Sequence, residues 1–366
     1  MEYKLSDICS GITDGSHNPP AGISNSDYLM LSSKNIFDDE ITFDAPRYLS
    51  EEQFVVENKR TRIKPGDILM TIVGTVGRTA IVPDGISTIT LQRSVAVLHP
   101  LKDICFSRYL MYALRSKRKF FESEAHGVAQ KGIYLKQLSN IIVDVPELER
   151  QEATVQILDF VQNIIKKRHE ELDKLDELIK ARFVELFGDP ITNTKKLETK
   201  SLKDVLMLKA GDFTAASDIA DEPNEVNKYP CYGGNGIRGY VAEYNQEGDY
   251  SLIGRQGALS GNVQYATGQF KNTEHALLVT PTKKMNSIWL NQLLINLDLK
   301  RYQTGAAQPG LSVKNLQEIQ IITVPIDEQN SYAEFVKQVD KSKATVQKTL
   351  DKMQLLFDSL MQQYFG

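Results

Sequence analysis

Residues 151–187 read QEATVQILDFVQNIIKKRHEELDKLDELIKARFVELF, 37 residues without glycine or proline. Leu158, Ile165, Leu172, Ile179 and Leu186 recur every seven residues, and Val161, Arg168, Leu175 and Arg182 occupy the interleaved seam. An apolar repeat of this period predicts a coiled-coil helix, because about 3.5 residues per turn keeps one stripe facing a partner. At about 1.5 Å per residue such a helix runs roughly 55 Å, longer than a compact domain needs. The C-terminal segment supplies a partner: a shift of 178 aligns Val336, Lys343, Leu350, Phe357 and Tyr364 with the first seam, and Val339, Val346, Met353 and Leu360 with the second. The expected pairing residues are Leu158, Ile165, Leu172, Leu175 and Ile179 against Val346, Leu350, Met353, Phe357 and Leu360. Arg168 and Arg182 are expected to meet the tail where it supplies Val346 and Leu360. The plainer alternative is two unrelated amphipathic core helices.

The 366 residues suffice for two ordinary domains plus an extended element, and 41% hydrophobic with 25% charged residues is a globular composition. No apolar run approaches the ~20 residues that span a bilayer, and the first residues lead into no signal-peptide core. Cys9, Cys105 and Cys231 lack CxxC spacing and read as reduced thiols of a cytoplasmic protein rather than disulfides or zinc ligands. The net charge of −4 is unevenly placed. Residues 1–146 carry 17 Lys+Arg against 17 Asp+Glu, residues 195–325 carry 14 against 13, and segments 147–194 and 326–366 together carry 12 against 17. The acid therefore resides in the helical segments, and the near-neutral globular parts are compatible with a DNA partner.

The chain writes one plan twice. LSDI at 5–8 answers LKDV at 202–205, and KPGDILMTIVG at 64–74 answers QEGDYSLIG at 246–254. Each strand-like run ends in a glycine loop, GTVG at 74–77 and GRQG at 254–257. RSVAVLHP (93–100) parallels EHALLVTP (274–281), and one helix is expected after each, over 106–121 and 287–302. GVAQKG (127–132) with LKQL (135–138) then matches GAAQPG (305–310) with VKNL (313–316). Both halves finish in an apolar strand, over 141–146 and 319–325, and both long helices end alike, in LFG at 186–188 and YFG at 364–366. The predicted division is a globular domain at 1–146, a helix and linker at 147–194, a second domain at 195–325 and a C-terminal helix at 326–366. Antiparallel pairing of the helices would set the two domains at opposite ends of a rod, a geometry suited to two sites on a linear polymer such as DNA.

Motifs that imitate enzyme sites fail on context. GNGIRG at 234–239 fits GxGxxG, but strand rather than helix is expected after it. Asn18-Pro19-Pro20 resembles the Asn-Pro-Pro-aromatic motif of DNA amino-methyltransferases, yet position 21 is alanine. The five histidines form no HxH or HxxxH pair, so no metal site is expected. Nothing points to catalysis. The densest basic run, RSKRK at 115–119, reads either as a solvated helix end or as a phosphate-contact face through Lys117 and Arg118, with Lys300-Arg301 at the matching place. The glycine loops carry residue types that read base edges, since Arg pairs bidentately with guanine and Asn or Gln with adenine. The candidates are Arg78, Gln92, Arg93, Gln130 and Lys131 in the first half, and Asn235, Arg238, Arg255, Gln256 and Gln308 in the second. Turns and caps use the same residue types.

The chain resembles the specificity subunit of type I restriction–modification enzymes, over essentially its whole length. The resemblance rests on the duplicated plan and on ITDGSH (12–17), YPCYGGNGI (229–237) with Gly239-Tyr240, IGRQGA (253–258), the Ala-Gln-x-Gly loops, LFGDP (186–190) and LMQQYF (360–365). It implies an α+β (mixed α/β) fold, two duplicated target recognition domains separated by two long antiparallel coiled-coil helices. Each domain would read one half of a split, asymmetric double-stranded DNA target. The helix pair would set the gap and dock two methyltransferase subunits. S-adenosylmethionine would serve those subunits, and ATP and Mg would serve separate restriction and translocase subunits. This chain would bind no cofactor and have no activity of its own. The halves differ between shared landmarks, for instance over 61–83 against 244–267, which suits two different half-sites. Two rival readings are an enzyme with an unrecognised active site and a two-module coiled-coil scaffold that binds no DNA.

Overall fold

The computed structural model describes residues 1–125, 132–257, 259–305 and 310–366. By contacts the chain divides into Met1–Lys167 with Leu350–Gly366, and Arg168–Thr349. The two long helices, Leu148–Phe187 and Ile326–Phe365, each contribute to both units. Helix and strand are mixed in each unit, as expected for α+β.

Both units repeat one topology. In the first, strands Cys9–Asp14, Val95–Pro100, Ile68–Thr71 and Thr79–Ile81 are neighbours in that order, all antiparallel. In the second, Leu206–Ala210, Ala276–Pro281, Tyr250–Gly254 and Val263–Ala266 take the same order and sense. A second sheet, three-stranded in the first unit and four-stranded in the second, accompanies each and is built on a parallel pair: Tyr28–Leu31 with Ile89–Leu91, and Tyr229–Gly233 with Gln269–Asn272. The chain ends of each domain are stitched by Glu2–Lys4 against Ile142–Asp144, and by Thr199–Ser201 against Gln320–Ile322. LSDI and LKDV, quoted above only as landmarks, are single helical turns with buried Leu5 and Ile8, and Leu202 and Val205.

The helix expected over 106–121 is two helices, Ser107–Ser116 and Arg118–Glu124. Lys117 takes φ −89° and ψ 8°, which breaks the ladder between them. The first of the pair buries Tyr109 through Leu114 against the sheet. Its counterpart Ser287–Asn296 is capped by Asn286, whose side chain accepts from the N–H groups of Ile288 and Trp289.

The two long helices start in the same way. Gln151 is fully buried, donates to the carbonyls of Ile104 (2.9 Å) and Pro146 (2.7 Å), and accepts from the Phe106 N–H (2.9 Å). Gln329 donates to the Val324 carbonyl and accepts from the Asn286 N–H, both at 2.9 Å. One amide thus satisfies backbone groups that burial would otherwise orphan, twice.

Along the helices Leu158, Val161, Ile165 and Ile179 of the first and Val336, Val339, Val346 and Leu350 of the second are buried, as are Phe183 and Phe187, which lie off the predicted stripe. Leu172 and Leu175, and Met353, Phe357 and Leu360, are half-buried. In the second unit the helices run antiparallel, since Asp176 pairs with Lys343 while the Ile179 carbonyl accepts from Tyr332 Oη at 3.1 Å. Phe183 and Phe187 pack with Tyr332 and Trp289 in an aromatic core. In the first unit Phe357 packs on Tyr112 and Phe365 on Tyr109. One expectation is corrected. Arg182 lies over Phe335, 5.8 Å from its ring centre, and pairs with Glu185, while Arg168 pairs with Glu171. A repeat shift relates equivalent positions, whereas antiparallel packing brings together positions whose numbers run in opposite directions, so Arg182 meets Phe335 and not Leu360.

Candidate nucleic-acid interface

Each globular domain carries a loop held by the same backbone bonds. In the first, Gly15 N–H donates to Val95 O (3.2 Å), Ser16 N–H to Leu91 O (2.8 Å), and Arg93 N–H returns to Ser16 O (2.9 Å). In the second, Gly211 N–H donates to Ala276 O (3.3 Å), Asp212 N–H to Asn272 O (3.1 Å), and Glu274 N–H returns to Asp212 O (3.2 Å). The chains approach so closely that a Cβ on Gly15 would sit 2.0 Å from Leu91 O, and one on Gly211 2.1 Å from Asn272 O. Only glycine fits. Beside these loops the residues just after each Ala-Gln-x-Gly motif return, with Ile133 N–H donating to Ile72 O and Leu311 N–H to Arg255 O, both at 2.9 Å.

Around the first loop stand Gln92, half-buried, and Arg93, exposed. They join a cluster that sequence reading did not assign. The buried carboxylate of Asp14 accepts from His17 Nε2 at 2.8 Å and from Arg60 Nη2, while Arg60 Nε donates to the Asp14 carbonyl at 3.0 Å. Arg60 reaches it from the last turn of helix Glu51–Thr61, which is capped by Ser50 and Gln53. Asp14 and His17 lie within ITDGSH, a stretch that carries the family resemblance and no site assignment, and Arg60 lies in a helix whose sequence offers no signal.

The other first-domain candidates are dispersed. The guanidinium of Arg78 stacks over Phe37 at 5.0 Å. Arg118 is bound to Asp38 at 2.6 Å and to the Gly77 carbonyl at 3.1 Å, so much of its hydrogen-bonding capacity is spent inside the fold. Arg115 in the same basic run is nearly buried and pairs with Asp39 at 2.5 Å. Lys117 sits at the break between the two helices and lines a cleft with Asp144 and Tyr364. Gln130 and Lys131, and Gln308 of the second domain, lie outside the described residues.

The second-domain candidates converge. GNGIRG forms the turn of an antiparallel hairpin, Tyr229–Gly233 with Gly236–Val241, and not a strand-to-helix phosphate loop. Its Gly234 carbonyl would be 2.2 Å from a Cβ on Gly254, so hairpin tip and glycine loop are in contact. Asn235, exposed at that tip, accepts from Asn262 Nδ2 at 2.7 Å. Arg238 is exposed and lies across Gly233. Gln256 Oε1 meets His275 Nδ1 at 3.0 Å, and His275 Nε2 meets Glu274 at 3.1 Å. Arg255 spends its backbone on His275 and Leu311 and leaves its side chain half-buried. Asp212 accepts from Asn245 Nδ2 at 2.8 Å with Lys271 at 3.5 Å, and these partners hold its carboxyl below the usual carboxylate range.

Elsewhere the polar motifs serve the fold. The carbonyls of Pro19 and Pro20 accept from Arg47. Among the described residues no group of three or more His, Cys, Asp and Glu is arranged to hold a metal, and no helix is long and apolar enough to cross a membrane. The three cysteines are buried free thiols.

A family model described as type I restriction modification DNA specificity domain matches the chain twice, over residues 3–175 and 194–354. The specificity subunit of the Escherichia coli type I restriction enzyme EcoprrI is 42% identical over 141 residues, 38% of this chain and 35% of that protein. The MjaVIII specificity subunit of Methanocaldococcus jannaschii is 23% identical over 323 residues, 78% of this chain and 75% of its own. The matches of this chain to the EcoprrI and EcoBI subunits of Escherichia coli span 35% and 41% of those proteins. Among solved structures, the type I restriction–modification S subunit from M. genitalium shares the fold with a TM-score of 0.61 at 17% identity, covering 100% of this chain and 96% of that one.

Proposed function

Because the chain belongs to the type I restriction–modification DNA specificity family, we propose that it is the sequence-reading subunit of such a system, without catalytic activity of its own. Its domains, 1–146 and 195–325, each read one half of a split, asymmetric target in double-stranded DNA. The observation that carries this reading is the pair of returning loops: identical backbone bonds frame Gln92–Arg93 and Thr273–Glu274, while the side chains on that frame differ. A common scaffold with divergent polar groups suits two half-sites of unlike sequence, because base edges are distinguished by donor and acceptor pattern.

In this reading Arg78, Gln92 and Arg93, with Gln130 and Lys131, face the first half-site. Asn235, Arg238, Arg255 and Gln256, with Gln308, face the second. Lys117 is the better backbone contact of the basic run, since Arg118 already holds Asp38. Segments 147–194 and 326–366 fix the spacing of the half-sites and dock two methyltransferase subunits. Those subunits supply S-adenosylmethionine chemistry, and restriction subunits supply the ATP- and Mg-dependent steps.

The test is to produce the chain with a methyltransferase subunit of the proposed system and map methylated adenines in host DNA. A split motif with a fixed gap is expected. An assembled complex that methylates no defined motif would refute DNA reading and leave a protein scaffold.

A further inference from the structure

The Asp14–His17–Arg60 cluster opens into a cavity of about 390 Å³ that Arg93 also lines, with walls from Ile72 and Tyr134. We propose that this cavity seats a backbone phosphate of the first half-site, gripped by Arg60 and Arg93 with His17 and oriented by Asp14. The proposal rests on the DNA-reading function above, and it moves Arg93 from a base edge to the backbone.

Four features support it. First, two guanidinium groups face one carboxylate, so the cavity keeps a positive surplus even with His17 neutral, and an unbalanced cation pair in a concave site selects an anion. Second, Asp14 occupies only one side of Arg60. Its carboxylate and carbonyl take Nη2 and Nε, which leaves the end-on fork of Nη1 and Nη2 for a second pair of acceptor oxygens. A purely structural tie between helix and strand would need neither that open fork nor Arg93. Third, the Asp14 carboxylate is buried and fixed by its partners, so it presets the guanidinium and reduces the ordering cost of binding. Fourth, shape favours the backbone. Phosphates and sugars project from a duplex, whereas base edges lie on the groove floor and are met by projecting side chains. The apolar walls of Ile72 and Tyr134 can take the carbon face of a sugar.

The experiment measures equilibrium binding of the full chain, assembled with its methyltransferase subunits, to duplexes with and without the mapped motif over a series of salt concentrations. Arg93→Ala should weaken binding about tenfold to both duplexes and reduce the salt slope by about 1, because one phosphate contact releases about one counterion. Arg60→Ala should do the same, and Arg60→Lys should recover part of the slope but not the full affinity. Arg93 makes no ion pair among the described residues, so its truncation tests the seat even if Arg60→Ala loosens the fold; unchanged melting checks this. Unaltered affinity and slope in Arg93→Ala would overturn the proposal. So would a relaxed methylation motif at one base position with an unchanged slope, which would return Arg93 to a base edge. A wild-type complex without salt-dependent DNA affinity would instead refute the DNA-reading function itself.

Discussion

Gly15 and Gly211 show how much a single side chain can cost here. A methyl group at either would overlap a backbone carbonyl that belongs to a paired strand and cannot swing away. Gly15→Ala and Gly211→Ala should each destabilise their domain by about 3 kcal/mol, read as a loss of melting temperature. Asp212 gives a pH signature. Its folded pKa lies below the unfolded value, so its contribution is full above the unfolded pKa of about 3.9 and is lost as pH falls through the folded value. Asp212→Asn should therefore lower melting temperature slightly at neutral pH, leave it unchanged in strong acid, and so flatten its acid decline below about pH 4. The thiols of Cys9 and Cys105 are pushed up to about 12, chiefly by burial, and that of Cys231 is raised for the same reason. Iodoacetamide at pH 8 should leave all three unmodified in the native protein and label all three in denaturant.

The heptad seam sorts apolar helix residues by consequence. Leu158 is fully buried, whereas Leu355 is 70% exposed. Leu158→Ala should cost about 3 kcal/mol, and Leu355→Ala should stay within about 0.5 kcal/mol, as denaturant unfolding would show. Comparable losses at both sites would mean that period alone does not decide which face is packed. The charged residues of the seam follow the same logic. Lys343 keeps its place by reaching Asp176, and Arg168 and Arg182 snorkel to glutamates on their own helix. In the basic run, Arg115 and Arg118 clamp Asp39 and Asp38 of a neighbouring loop. Both sequence alternatives had these residues facing outward; an ion pair across more than 70 residues was the outcome.

For the molecule as a whole, the proposed ruler makes a quantitative prediction. Seven residues add about 10 Å to a helix, roughly three base-pair steps of duplex. Matched heptad insertions in both long helices should lengthen the gap in the methylated motif by about three base pairs and leave both half-sites unchanged. An unaltered gap would show that something other than the helices sets it. Complexes that lose methylation altogether would be checked for assembly by size-exclusion chromatography before the gap is judged.

The duplication and the helix seam were legible because both are periodic: a repeated order of strands and turns, and a seven-residue stripe, survive as patterns along the chain. The Gly-Asp turns, the failure of GNGIRG as a nucleotide loop and the apolar terminal strands were legible for a related reason, since local backbone geometry restricts which residues can stand there. Other features depended on distance in space. The join of Arg60 to Asp14 and the burial of Gln151 and Gln329 beneath backbone groups arise from segments separated in sequence, and no local pattern records them. The same holds for the break at Lys117 and the true partners of Arg182. A polar side chain in a sequence offers several possible bonds; packing, by removing water from all but one set of them, selects the set that forms.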